Sequence, residues 1–116
     1  MLVWVGVTLL GGAGAVARFA LDSTVSERTG DAFPWGTLAV NVSGAFLLGL
    51  VTGPLGATGD ALLLAGTGLL GSYTTFSTWM LESHRLGEDG EPARMWLNIA
   101  VSVAAGLAAA ALGRAL

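Results

Sequence analysis

Apolar residues gather in four runs, at residues 2–21, 35–51, 61–81 and 93–113, and the gaps between them carry nearly all the charge and turn-forming residues. Each run is close to the roughly 20 residues that carry a helix across the hydrocarbon core of a bilayer. The pattern predicts four transmembrane helices joined by "DSTVSERTGDAFP", "TGPLGATGD" and "ESHRLGEDGEP". None of these connections is long enough for a second domain, so residues 1–116 read as one all-α integral membrane domain. The third run differs from the others. Its "GSYTTFST" segment, residues 71–78, holds six hydroxyl-bearing residues, and the longer "AGTGLLGSYTTFST" combines three glycines with a β-branched, hydroxyl-rich sequence. That is a poor recipe for a continuous helix and predicts a third helix broken in mid-membrane.

Composition narrows the function classes. Of 116 residues 53% are hydrophobic and only 11% charged, with mean hydropathy +0.72, too little charge to cover a soluble domain of this length. The absence of cysteine removes disulfides and thiolate metal sites, and a single histidine removes the zinc templates. Five arginines, no lysine and a net charge of −3 leave no basic patch for nucleic acid. The N-terminal "MLVWVGVTLL" has no basic leader and its apolar run exceeds signal-peptide length, so it reads as a retained span. No nucleophile and base pair points to an enzyme, and His84 falls in a polar connection.

Small residues four apart, Gly11 with Ala15, Gly49 with Gly53 and Gly106 with Ala110, let helix backbones approach closely, either within the chain or against another subunit. Polar residues inside the runs need a reason, because unsatisfied polar groups are costly in hydrocarbon. Arg18, near the end of the first run, can carry its charge to the headgroups along its stem. Thr37 with Asn41, and Asn98 with Ser102, each share a helix face, fitting either interhelical hydrogen bonds or a polar track. The hydroxyl row fits bonding back to the preceding turn or a break whose freed carbonyls meet a cation and whose restarted helix meets an anion. Phe76 and Trp79 share a face after that break, beside Ser77 and Thr78, and aromatic edges attract anions weakly, as conduction requires. Glu82 closes the run.

The motifs "GGAGAVARF" (11–19), "PWGTLAVNVSGAFLLG" (34–49), "GLLGSYTTFSTWMLE" (68–82) and "NIAVSVAAG" (98–106) resemble the Fluc (CrcB) fluoride channel family, in family order and over essentially the whole chain. The resemblance implies an antiparallel, dual-topology-type dimer of four-helix subunits in the cell membrane, passing fluoride passively out of the cytoplasm to limit its toxicity. It also implies a structural sodium ion at the dimer centre, held by backbone carbonyls at Gly71 and Thr74. By motif, Asn41, Phe76, Ser77 and Thr78 match the fluoride pathway, with Asn98 and Ser102 less securely placed, and Arg18 and Glu82 match vestibule charges. Trp79 stands where the family has a second pore phenylalanine, a departure that bears on permeation and selectivity. Tyr73 receives no role.

Two other readings stay open: a small multidrug-resistance type proton-coupled antiporter, which wants a mid-membrane glutamate that the first run lacks, and a non-conducting accessory or structural membrane subunit. The partner question is open too. Arg28, Arg85 and Arg94 fall in the first and third connections, against Arg114 alone on the other side, which favours one orientation with both termini outside. A homodimer is the first expectation, and a heterodimer with an oppositely oriented homologous subunit the alternative.

Overall fold

The computed structural model describes residues Met1 to Leu116 and is helical throughout, with no strand. Helices α1 (Leu2–Thr29) and α2 (Trp35–Thr52) are followed by a chain of short pieces: α3 (Gly59–Leu62), a π-helical stretch (Leu63–Leu70), α4 (Gly71–Tyr73) and α5 (Ser77–Glu88). Helix α6 (Pro92–Ala115) completes the chain. Three of these, α1, α2 and α6, are single helices long and apolar enough to cross a membrane. The third apolar run is divided among the short pieces.

Two polar stretches expected to be connections are largely helical. Helix α1 continues through Asp22 to Thr29, because neither glycine nor proline interrupts it before Gly30. Gly30 then stops it at φ 78°, a left-handed conformation that glycine adopts without a Cβ clash, with its N–H bonded to Ser26 O at 2.9 Å. Helix α5 likewise carries residues 82–88. Pro92 opens α6 in the first turn, where its missing N–H costs no hydrogen bond. Arg94 Nη1 donates to Ala32 O at 3.5 Å, so the first and third connections lie at the same end of the molecule.

Close backbone approach does the packing that large side chains do elsewhere. A Cβ added to Gly49 would strike the carbonyl oxygen of Ala110, and one added to Gly113 would strike that of Phe46, so α2 and α6 touch main chain to main chain. Gly106 has open space where its Cβ would be. On the other side α1 lies against the π-helical stretch, Gly14 facing Leu69 O. The wider turn shows where Gly71 N–H reaches back to Gly66 O, five residues earlier. Glycines in "LLAGTGLL" weaken an α ladder, but nothing in the pattern specifies the π register.

Only 11 of 116 residues are buried, and Val40 and Leu70 are the only large apolar side chains among them. Phe19, Val16, Leu107 and Leu9 are mostly exposed. Such a chain has no aqueous core; its apolar surface is suited to lipid or to another subunit.

Candidate functional site

The helical path stops after Tyr73. Thr74 is extended at φ −82°, ψ 160°, and α5 restarts at Ser77. Two side chains take over the hydrogen bonds that an uninterrupted helix would make here. From α2, Asn41 presents its carboxamide to the main chain of Thr75: Oδ1 accepts the Thr75 N–H at 2.8 Å, and Nδ2 donates to the Thr75 carbonyl at 2.8 Å. The carboxamide imitates a neighbouring strand, and this complementarity fixes which way the amide points. Thr75 in turn caps the restarted helix, its Oγ1 accepting the Thr78 N–H at 3.2 Å while donating to Thr78 Oγ1 at 3.1 Å. Ser77 Oγ lies 3.4 Å from the same Thr75 hydroxyl.

These substitutions release two carbonyls. In a continuous α-helix Gly71 O would receive the Thr75 N–H and Thr74 O the Thr78 N–H. Both donors are engaged by side chains, and neither carbonyl accepts a hydrogen bond from the residues that follow it. The amides of Phe76 and Trp79 are left without an acceptor in the chain, as expected of the first turn of a helix.

Gly71, Thr74, Thr75, Phe76, Trp79 and Asn41 line one open groove of about 370 Å³, largely apolar and floored by Gly44 of α2. Phe76 is 70% exposed and meets Trp79 edge to face, ring centroids 5.5 Å apart and planes at 81°. A second cavity of about 230 Å³, sharing Thr75 with the groove, lies between Arg18 and Asp22 of α1, Thr37 and Val40 of α2, and Thr75 and Thr78. Beyond it Thr37, itself buried, donates to Glu82 Oε1 at 2.5 Å. Glu82 also borders a polar recess of about 430 Å³ with Ser26, Asp31, Arg85 and Asp89 at the end of the molecule.

Asn98 and Ser102 stand apart from this line. Asn98 is buried between α5 and α6, where Nδ2 donates to Ser83 Oγ at 2.8 Å and Oδ1 accepts from Ser102 Oγ at 3.4 Å. Ser83 Oγ donates to Trp79 O at 2.8 Å, and the Trp79 indole N–H points to Asn98 O at 3.4 Å. The two polar clusters therefore meet only through Trp79.

Of the residues singled out from the sequence, Asn41, Phe76, Ser77, Thr78 and Trp79 converge on the interruption with Gly71 and Thr74, Arg18 lines the adjoining cavity, and Glu82 sits at its polar end. Nothing in the sequence singles out Thr75, one hydroxyl in a row of them, although it bonds to more of the site than any neighbour. The structure adds Ser83 and Asp22 to these residues. Ser83 stands four residues after Trp79 on one helix face, which is the signal that could have found it. Tyr73 acquires a partner, its hydroxyl lying 2.8 Å from Ser43 Oγ of α2.

The family model described as CrcB-like protein, Camphor Resistance (CrcB), matches residues 5–114. A Mycobacterium tuberculosis protein named fluoride-specific ion channel FluC 2 is 56% identical over 112 residues, covering 97% of this chain and 88% of its own length. A Mycolicibacterium paratuberculosis protein of the same name is 54% identical over 114 residues, covering 98% and 93%. The protein named fluoride-specific ion channel FluC 1 of Symbiobacterium thermophilum is 44% identical over 118 residues, covering 97% and 95%. Matched nearly end to end by the family model and by relatives of its own length, this chain is a multi-pass membrane protein and belongs to the CrcB family.

Proposed function

We propose that this protein is a subunit of a fluoride-specific channel that lets fluoride leave the cytoplasm passively, down its electrochemical gradient. The observation that carries the reading is the interruption at Thr74–Phe76, in a chain similar over nearly all its length to proteins named fluoride-specific ion channels. Fluoride is small and strongly hydrated. A path for it must replace water with directed donors yet hold the ion weakly enough to let it go. The hydroxyls of Ser77 and Thr78, the remaining amide hydrogen of Asn41, and the ring edges of Phe76 and Trp79 are such donors at membrane depth. Arg18 draws anions to one cavity, and Thr37 with Glu82 continues polar surface toward the end of the molecule. Asn98 meets that path through Trp79, whose indole N–H faces the Asn98 carbonyl, and Ser102 joins it only through Asn98.

The working unit in this reading is an antiparallel dimer, with the third helix broken near the membrane midplane. Support comes from the lack of a core within one chain and from the open groove that carries the exposed Phe76. The carbonyls of Gly71 and Thr74 fit a hard cation: they are oxygen donors, released from helical bonding, on the same groove. Two subunits would offer four such oxygens to a structural, non-transported sodium ion. When bound, that ion supplies a fixed positive charge binding the two breaks together. The dimer is a homodimer in the simplest form, while the arginine-rich end formed by the first and third connections favours a partner of opposite orientation.

Fluoride efflux from liposomes holding the purified protein alone, read with a fluoride electrode and repeated with chloride, tests the reading. Fast fluoride flux without chloride flux is the expected result and would establish that one kind of subunit suffices. Absence of fluoride flux both alone and with an oppositely oriented family member would overturn it.

A further inference from the structure

We infer that Thr75 and Asn41 are the positioning residues of the cation site: each captures the backbone N–H that would otherwise occupy one of its two liganding carbonyls. The inference rests on the reading of Gly71 and Thr74 as sodium ligands and assigns the residues that keep those carbonyls available.

The geometry makes the division of labour specific. Thr75 N–H, the helical donor for Gly71 O, goes to Asn41 Oδ1 at 2.8 Å. Thr78 N–H, the helical donor for Thr74 O, goes to Thr75 Oγ1 at 3.2 Å. Each capture keeps the N–H satisfied, because a bond to a side chain replaces one to the main chain, and leaves the cost on the carbonyl, which a bound cation would offset. What changes is the acceptor left over. A carbonyl already accepting an N–H keeps one lone pair, but its electron density is drawn toward the proton and its direction is tied to the helix axis. A free carbonyl can turn and offer its full dipole. Asn41 thereby has two duties, lining the groove with its unused amide hydrogen and holding Gly71 O open, so that anion path and cation site share a residue.

Loss of the Thr75 hydroxyl returns Thr78 N–H to Thr74 O and lets the helix close by one bond. Thr75→Val has nearly the side-chain shape of threonine and removes only the hydroxyl; Thr75→Ser restores it. The probe is sodium chloride titrated against N-methylglucamine chloride at constant ionic strength, and the readout is the thermal unfolding midpoint of the purified full-length protein in detergent. Half-maximal stabilisation of Thr75→Val is expected to need about tenfold more sodium than the parent, the worth of one hydrogen bond redirected onto a ligand. Asn41→Leu should shift in the same direction and Thr75→Ser should return to the parent value. A folded Thr75→Val with the parent's sodium midpoint overturns the positioning role while leaving the sodium reading intact. A parent protein that conducts fluoride but whose midpoint ignores sodium overturns both. Should Asn41→Leu fail to fold, the Val and Ser pair at Thr75 decides the matter.

Discussion

Thr37 on α2 and Glu82 on α5 share a proton-donating contact of 2.5 Å that joins two helices at the end of the third apolar run. The threonine is buried while the carboxylate opens toward a recess, so the hydroxyl is what satisfies the carboxylate on its protein side. Thr37→Val should leave that oxygen unpaired and destabilise the protein by about 1–3 kcal/mol, whereas Glu82→Gln, whose carbonyl oxygen still accepts, should lose about 1 kcal/mol or less. Thermal unfolding in detergent compares them. Equal losses would mean that the contact contributes nothing beyond packing.

Asn98 is the most enclosed polar side chain of the molecule, with 1% of its surface exposed. Replacing it by leucine removes the acceptor for Ser102 and the donor for Ser83, whose buried hydroxyl keeps only the bond it gives to Trp79 O. A loss of about 1–3 kcal/mol is expected, against a few tenths for Ser102→Ala, whose bond to Asn98 is long at 3.4 Å. Should Ser102→Ala prove the more damaging of the two in the same unfolding assay, the ordering of this network would have to be reversed.

How legible all this is in the sequence depends on the residue. The four apolar runs follow from composition, and the weakness of the third follows from its glycines and hydroxyls, because helix propensity is local. Which hydroxyl matters is not local. Thr74, Thr75, Ser77 and Thr78 are alike in the sequence; only the approach of Asn41 from α2, 34 positions earlier in the chain, selects Thr75 as the pivot. The same holds for Asp22–Thr29, where polarity suggested a connection but the absence of glycine and proline let α1 continue. Polarity marks where a helix leaves the membrane, which is a different event from where it ends.

Spacing alone also treated Gly49 and Gly106 as equals, and the packing separates them. A side chain at Gly49 would press into the Ala110 carbonyl and the Arg114 amide of α6, while Gly106 faces nothing within 4 Å. Gly49→Ala should therefore destabilise by several kcal/mol or abolish folding, an overpacking effect of at least about 1–3 kcal/mol. Gly106→Ala should be neutral in the isolated chain or stabilising by up to about 1 kcal/mol from helix propensity. A large loss at Gly106 would instead reveal that its empty side is covered by another subunit, which size-exclusion chromatography of the variant would report as dissociation.

Trp79 offers the most direct test of how the aromatic pair serves permeation. Its ring meets Phe76 edge to face, and its indole N–H reaches Asn98 O at 3.4 Å, too long to contribute much stability. Phenylalanine at this position keeps an electropositive edge beside Phe76 and gives up bulk and one donor. Trp79→Phe should consequently cost no more than about 0.5–1 kcal/mol in unfolding, while fluoride efflux from liposomes rises and chloride stays excluded. Trp79→Leu removes the ring edge altogether and should lower fluoride efflux with the fold retained. The contrast between the two separates the ring's role from its size: if both variants speed efflux equally, the indole acts only as an obstruction, and the aromatic edge at this position has no part in stabilising the passing anion.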